Sequence, residues 1–228
     1  MRWLVVLALL AGCGQDRIAD TDEAYYGWTN RRVLCGVSID DKLEVGLDNI
    51  REGMLRAVER GEVLIFYAHQ ISDEGIGPER LESILQLARE LGLPFLTFPE
   101  LHQAPPAERA GVVLTFDDAH VDNWWEQRDL FAAYDARATF FVTRIHTLRD
   151  DRIARLHELY AAGHAIESHG LNHQNAYEYA DELGVQAYVV DEVLSSLDIL
   201  REQGFAPTTF SYPYGVRTGE LDDAILEH

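Results

Sequence analysis

The sequence predicts an α/β protein in which helices cross over between the strands of a parallel sheet, in the manner of a β/α barrel. Short apolar runs alternate along the chain with segments of helical periodicity. Several of these runs end in reactive side chains, and the clearest is the run 112–116, which leads directly into Asp117 and Asp118. Reactive groups collected at the C-terminal ends of strands are typical of a β/α-barrel active site.

The individual elements follow from periodicity and from residues that end helices. We expect strands at residues 32–39, 63–68, 94–98, 111–116, 138–143, 164–168 and 208–212. We expect helices near residues 43–60, 79–92, 125–135, 151–162, 176–203 and 218–228. Gly92, Gly163 and Gly204 stand where helices end and predict C-terminal caps. Residues 31–228 show no repeat and no linker, and they predict one domain with its own core.

The N-terminus has the pattern of an export signal. Arg2 is followed by the apolar run 3–10, which is too short to span a bilayer and predicts a signal peptide over residues 1–12. The sequence Leu-Ala-Gly-Cys ending at Cys13 resembles the bacterial lipobox, so Cys13 is the expected lipidation site and residues 13–30 the tether. An ordinary signal cut near the same residues is the alternative. The lipobox predicts an extracytoplasmic, lipid-anchored protein, on the periplasmic face of the outer membrane if the source is Gram-negative.

Charge and cysteine content exclude some partners. The net charge of −20 argues against a nucleic-acid backbone or an anionic membrane face as a partner. It suits either a neutral or cationic substrate or simply a solvated acidic surface. The only other cysteine, Cys35, lies in an apolar run and is expected to be a small buried hydrophobic residue. With Cys13 lipidated, no disulfide forms within the chain.

Three residues at strand ends predict a metal site. His169 and His173 are four residues apart, which aligns two imidazoles if the segment is helical. Together with Asp118 they supply three ligands for a catalytic divalent ion and leave a position open for water. Zn²⁺ is the first choice for mixed imidazole and carboxylate ligands, although Co²⁺, Ni²⁺ or Fe²⁺ also fits. Under the alternative interpretation, the histidines are capping or surface residues and the two aspartates begin a loop.

Five segments together resemble a known family. The sequences TFDD at 115–118, HGLNH at 169–173 and SYPYG at 211–215 resemble the first three motifs of the polysaccharide deacetylases, the NodB-homology enzymes of carbohydrate esterase family four. His69, which closes an apolar run, resembles the late histidine motif of that family. Asp40 resembles the aspartate motif that precedes it.

The resemblance implies a role for each motif residue. The expected metal ligands are Asp118, His169 and His173. Asp117 resembles the general base that deprotonates the attacking water, and the backbone amide of Tyr214 resembles an oxyanion-hole donor. His69 resembles the general acid that protonates the departing amine, with Asp40 holding its tautomer.

The order of the motifs is similar to that of circularly permuted family members, among them lipoprotein deacetylases of poly-N-acetylglucosamine. The late histidine motif here precedes the Asp-Asp motif instead of following the Pro-Tyr motif. The resemblance implies a distorted (β/α)7-type barrel with this permuted order. A closed barrel tolerates such a cut because its termini are neighbours. We therefore expect residues 218–228 to lead in space to the segment after Cys13, with residues 17–21 forming a short strand there.

A few residues depart from the family pattern or have two interpretations. Ser211 stands where the family often has an arginine that braces the catalytic aspartate, and Gly170 replaces a serine or threonine. Trp124 and Trp125 either stack on a sugar ring or pack in a helix. Four other histidines are not expected at the site: His120, His146 and His164 have no partner at ligand spacing, and His157 falls on a predicted helix.

The predicted function is a lipid-anchored, metal-dependent hydrolase. It is expected to remove N-acetyl groups from an N-acetylglucosamine-containing envelope or exported polysaccharide. One alternative is an O-acetyl esterase acting on an acetylated glycan, since the same site cleaves esters. Another is a catalytically silent glycan-binding lipoprotein, which has no need of a base such as Asp117 beside a metal.

Overall fold

The computed structural model describes residues 17–101 and 109–228, together with the backbone of residues 5–9. The predicted lipidation site Cys13 lies outside the described residues. The strands are β1 Val5–Leu9, β2 Tyr25–Tyr26, β3 Val33–Ser38, β4 Val63–Ala68, β5 Phe95–Leu96, β6 Gly111–Asp118, β7 Thr139–Val142, β8 Ala165–Ser168 and β9 Thr209–Ser211. The α-helices are α1 Leu47–Arg60, α2 Pro78–Glu90, α3 Val121–Glu126, α4 Arg128–Ala133, α5 Asp150–Ala161, α6 Ala176–Leu183, α7 Val185–Tyr188, α8 Ser195–Glu202 and α9 Gly219–Leu226.

Seven of the described strands pair in a closed ring, in the order β3, β1, β9, β8, β7, β6, β4 and back to β3. Every pairing in the ring is parallel. The ring confirms the predicted α/β fold of the (β/α)7-barrel type. It is distorted between β8 and β9, because among the described residues these two strands pair at a single position, Ser168 with Phe210. The short strands β2 and β5 lie outside the ring, against β4 and β6.

Side chains alternate between the inside and the outside of the barrel, as the period of a strand requires. On β4, Val63 and Ile65 join a compact inner cluster with Val113 of β6. Leu64 and Phe66 point the other way and pack with the surrounding helices. The same alternation places Asp117, four residues after Val113, on the inner side of the barrel.

Several predicted elements differ in detail from the observed ones. The strand expected at 94–98 is reduced to β5, because Phe98–Leu101 forms a 3-10 turn. The helix expected at 125–135 begins earlier and is divided into α3 and α4. The predicted helix 176–203 is interrupted at Gly184, whose φ of 95° is not helical, and contains a π-helical turn at Val189–Leu194. The caps expected at Gly92, Gly163 and Gly204 are confirmed by their positive φ angles.

The expected strand at residues 17–21 is wrong. Ile18–Asp20 forms a 3-10 turn instead, and the amide of Ile18 donates to Asn49 of α1. The place between β3 and β9 is taken by Val5–Leu9. Arg32, just before β3, donates to the carbonyl of Leu226 at the end of α9 (2.9 Å). The end of the C-terminal helix therefore lies close to the start of β3. Within the described part of the chain, no helix has the length and apolar character needed to cross a membrane.

Candidate active site

The predicted site residues all follow or end strands at one end of the barrel. Asp40 follows β3, His69 follows β4, and Asp117 and Asp118 end β6. On the other half of the ring, His169 follows β8, and the turn Pro213–Gly215 follows β9. Because all these strands are parallel, their carboxyl ends meet at the same rim, which is where β/α barrels carry their active sites.

The three expected metal ligands converge. One potential ligand atom from each of Asp118, His169 and His173 lies within 4.8 Å of the others. Asp118 Oδ1 is 3.1 Å from His173 Nε2 and 3.7 Å from His169 Nε2. Asp118 itself has a φ of 88°, in the left-handed region, which ends the strand and turns its carboxylate away from the ladder.

The hydrogen bonds of His169 support a cation at this point. Its Nδ1 donates to the carbonyl of Ser211 (2.9 Å), so Nε2 of the neutral ring carries a lone pair. Burial, above all, lowers the pKa of His169 to about 3, which keeps the ring neutral. A lone pair that faces a carboxylate is repelled unless a positive charge lies between them. The residues therefore fit a divalent ion.

The segment that carries the two histidines is a loop, and the helix assumed in aligning them is wrong. Gly170 and His173 have φ values of 78° and 63°, neither of which a right-handed helix permits. The carbonyl of Gly170 accepts from Thr143 Oγ1 (3.0 Å), which ties the loop to the end of β7. Tertiary contacts, not helical periodicity, bring the two imidazoles together.

Asp117 has the environment of a general base. It is fully buried, and its Oδ2 accepts from Ser211 Oγ (3.0 Å). Its Oδ1 has no hydrogen-bond partner among the described residues. Burial, with a further contribution from the charge of Asp118, raises the pKa of Asp117 to about 7, although His69 and Ser211 oppose the rise. Ser211 thus orients both Asp117 and His169 from β9.

His69 and Asp40 form the expected pair. His69 Nδ1 lies 2.6 Å from Asp40 Oδ2, and the backbone amide of His69 donates to Asp40 Oδ1 (3.3 Å). Burial lowers the pKa of His69, but the hydrogen bond to Asp40 and the negative charge of Asp117 outweigh it and raise the pKa to about 9. The imidazole is therefore protonated at neutral pH, as a general acid must be.

Tyr214 lies in the turn Pro213–Gly215 with a φ of 61°, and its ring contacts that of His173 (centroids 4.7 Å apart). The phenol is 58% exposed. Beneath it, buried Tyr212 donates to Asp222 (3.1 Å), which also pairs with Arg217 and so braces the turn. The role of the Tyr214 amide as an oxyanion donor stays a prediction.

His120 lies at the site, although its sequence spacing gives no sign of it. Its Nε2 is 3.5 Å from Asp118 Oδ2, the carboxylate oxygen that does not face His173. His120 is the residue before α3 and stands two residues after Asp118 in the sequence. Glu192 is a second residue that motif spacing missed, because it reaches the site from the π-helical turn.

The structure favours packing over sugar stacking for Trp124 and Trp125. Trp124 is fully buried, stacks on Phe140 (centroids 5.0 Å apart) and donates to the carbonyl of His69 (2.8 Å). Trp125 lies on the surface between helices, with the guanidinium of Arg128 3.9 Å from its ring centroid. Both are packing residues in this structure.

Three other described histidines lie away from the site: His146, His157 and His164. His164 is buried, and its Nδ1 accepts from the amide of Ala138 (3.0 Å). His157 stacks on Phe205 (centroids 4.6 Å apart), and His146 is exposed in the turn Ile145–Thr147.

Comparisons with known proteins agree with this architecture. The sequence profile described as "Polysaccharide deacetylase" matches residues 104–228, more than half of the chain. The deacetylase PplD of Streptococcus pyogenes, solved in complex with acetate, is similar with a TM-score of 0.53 and 20% identity, over 72% of this chain and 79% of that one. The BpsB deacetylase domain of Bordetella bronchiseptica gives a TM-score of 0.48 and 16% identity, over 64% and 73% of the two chains. No curated protein sequence matched.

The likeness to PplD supports the fold, and the profile match covers the strand ends that carry Asp117, Asp118, His169 and His173. The chain belongs to the polysaccharide deacetylase family.

Proposed function

We propose that the protein is a divalent-metal-dependent hydrolase that removes N-acetyl groups from an N-acetylglucosamine-containing polysaccharide of the cell envelope or of an exported polymer. The observation that carries the proposal is the convergence of Asp118, His169 and His173 beside the buried carboxylate of Asp117. A binding protein has no use for a base with a raised pKa next to a metal site. Zn²⁺ is the proposed ion, since its usual ligands are imidazole and carboxylate.

The chain's own groups divide the chemistry between them. Asp118 and the two imidazoles would hold the divalent ion, which would lower the pKa of a water molecule and polarise a carbonyl oxygen. Asp117 takes the proton of the attacking water on its unpartnered Oδ1. Ser211 holds the other oxygen of Asp117 and so fixes the direction of that base.

His69 is the proposed proton donor for the leaving group. Asp40 holds its Nδ1, so Nε2 is the ring nitrogen left to donate. Amine departure from the tetrahedral intermediate requires a proton, because an amide anion is a very poor leaving group. The backbone amide of Tyr214 is the proposed donor to the oxygen that becomes negative.

Acetate release tests the proposal directly. Purified protein is incubated with N-acetylglucosamine oligomers, and acetate and free amine are measured before and after removal of metal with a chelator. We expect release that stops with the chelator and returns with Zn²⁺. Asp117→Asn should abolish it, whereas His146→Ala, at an exposed histidine away from the site, should leave it unchanged. Release that persists in metal-free protein contradicts the metal-dependent mechanism.

His69→Ala separates amide from ester hydrolysis. We expect a loss of about 10²- to 10⁴-fold in kcat on an N-acetylated oligomer, with little change in KM. On an O-acetylated glycan the loss should be much smaller, because an alkoxide leaves without a proton more readily than an amide anion does. Faster turnover of the ester by the wild-type protein, with no measurable amide cleavage, favours the O-acetyl esterase instead.

The permuted order and the lipid anchor are also part of the proposal. The pairing of β4 with β6 supports the permutation, because it makes His69 a spatial neighbour of the Asp117 strand although a helix and β5 separate them in sequence. The lipobox ending at Cys13 supports an extracytoplasmic protein held at a bacterial membrane through that residue.

A further inference from the structure

The loop 170–174, which follows His169 and contains His173, makes most of its amide hydrogen bonds to one buried residue. Glu192 Oε2 accepts from the amide of Asn172 (2.9 Å) and from the amide of Gln174 (3.5 Å). Its Oε1 accepts from Asn172 Nδ2 (2.8 Å), and its backbone carbonyl accepts from the amide of Leu171 (3.0 Å). Every residue between Gly170 and His173, and the residue after His173, therefore bonds to Glu192.

The location of Glu192 explains how it reaches the loop. It lies in the π-helical turn Val189–Leu194 between α7 and α8, and it is 1% exposed. A π-turn inserts an extra residue into a helix and re-aims the side chains around it, and such turns occur often at functional sites. None of the ion pairs found among the described residues involves Glu192, and its carboxylate oxygens accept hydrogen bonds from the N–H groups of the loop.

The loop needs an external support because its own backbone is unfavourable. His173 is held in the left-handed region, which costs free energy for a residue with a Cβ. Gly170 is left-handed too, and a Cβ at that position would lie 3.1 Å from Glu192 Oε2, so the carboxylate packs directly against it. Thr143 Oγ1 and the amide of Arg144 bind carbonyls on the other side of the loop. The carboxylate of Glu192 binds the amides on both sides of His173, so it is the support that bears directly on the orientation of this imidazole.

We propose that Glu192 is a positioning residue of the metal site: its carboxylate fixes the loop 170–174 so that His169 and His173 present their Nε2 atoms together to one divalent ion. The proposal rests on the proposed metal dependence. Groups that orient the ligands of a metal are commonly worth 10- to 100-fold in metal affinity. A glutamine in the same place retains the shape of the side chain but offers one acceptor oxygen instead of two.

The test measures Zn²⁺ affinity by competition with a chromophoric chelator, in wild type, Glu192→Gln and Asp191→Asn. Asp191 is the matched control, because it is the adjacent carboxylate of the same turn, is exposed, and bonds to Tyr179 instead of the loop. We expect Glu192→Gln to weaken Zn²⁺ binding about 10- to 100-fold and Asp191→Asn to change it less than about threefold. Excess Zn²⁺ should restore much of the kcat of Glu192→Gln.

The outcomes separate the inference from the proposed function. A wild-type protein that binds neither Zn²⁺ nor Co²⁺ overturns both. If wild type binds and Glu192→Gln binds equally well, or if both variants lose the same factor, the positioning role is wrong and the metal site stands. A purely structural role predicts a lower unfolding temperature of metal-free Glu192→Gln with unchanged Zn²⁺ affinity.

A second variant covers the case in which Glu192→Gln does not fold. Asn172→Ala removes the exposed side-chain donor to Glu192 Oε1 and leaves the buried carboxylate and the backbone bonds in place. We expect a several-fold loss of Zn²⁺ affinity with the fold retained. Unchanged affinity in this variant contradicts the inference.

Discussion

Asp117 and Asp118 are adjacent in sequence but acquire opposite properties from their surroundings. Asp117 points into the barrel, and burial raises its pKa to about 7. Burial acts on Asp118 in the same direction, but the imidazoles around it, first those of His120 and His173, prevail and lower its pKa. One carboxyl is thus poised to take a proton near neutral pH, and the other remains an anion available to a metal.

Asp40→Asn should move the basic limb of the pH–rate profile. His69 must be protonated to act as an acid, so activity is retained below its pKa of about 9 and lost as the pH rises through that value. The variant removes the hydrogen-bonded charge that raises this pKa. We expect the basic limb of kcat/KM to shift to lower pH by one unit or more, toward the unperturbed value of about 6.5, while the acidic limb set by Asp117 moves less.

Asp41→Asn is the control for that experiment. Asp41 is the next carboxylate in the chain, and it pairs with Arg80 and not with His69. The pH–rate profile of Asp41→Asn should match that of the wild type. A basic limb that stays in place in Asp40→Asn means that His69 is not the group that sets it.

At the scale of the secondary-structure elements, buried side chains join neighbouring strands where the backbone hydrogen bonds between those strands are incomplete. Between β8 and β9 the carboxylate of Glu167 accepts from the amides of Thr208 and Thr209 (2.7 Å each) in place of strand-to-strand bonds. At the amino ends of β7 and β8, His164 plays a comparable role by accepting from Ala138. Both are buried polar groups with satisfied partners, as stability requires.

His164→Asn should make stability less dependent on pH. Burial lowers the pKa of His164 to about 4, so the folded protein resists a proton that the unfolded chain accepts at about 6.5. The contribution of His164 to the free energy of unfolding is therefore complete above pH 6.5 and is lost as the pH falls toward 4. It amounts to about 2 kcal/mol between pH 7 and pH 5. Asparagine keeps an acceptor near the amide of Ala138 but does not titrate.

Urea unfolding of wild type and His164→Asn at pH 5, 6 and 7 measures this effect. We expect the difference in unfolding free energy between the two proteins to narrow as the pH falls. Other titrating groups cancel in the comparison because both proteins share them. A constant difference across the three pH values shows that His164 is not the responsible group.

At the scale of the whole molecule, the barrel is closed between β3 and β9 by the N-terminal strand β1. Val5–Leu9 pairs with both strands and completes the ring. The same residues belong to the predicted signal peptide 1–12. If that predicted peptide is removed, β1 is lost with it, and β3 and β9 are left without this neighbour.

Lipidation at Cys13 is tested by expressing the full chain in a Gram-negative bacterium and feeding it an alkyne fatty acid. We expect label on the protein, an intact mass that begins at Cys13 with its acyl groups, and recovery in the membrane fraction. Cys13→Ser should abolish the label, while Cys35→Ser, which removes the other cysteine, should not. An unlabelled protein whose mass includes Met1 contradicts the anchor and keeps Val5–Leu9 in the barrel.

The sequence alone predicted the barrel type, most strand positions and the residues that meet at the candidate site, because apolar runs and the side chains that end them are local features. Parallel strands then carry those side chains to one rim regardless of how the rest of the chain is packed. Other features depended on contacts between distant segments: the loop conformation of the histidine pair, Glu192 and His120 at the site, and the strand between β3 and β9. These follow from which groups become neighbours in space, and no local pattern encodes that.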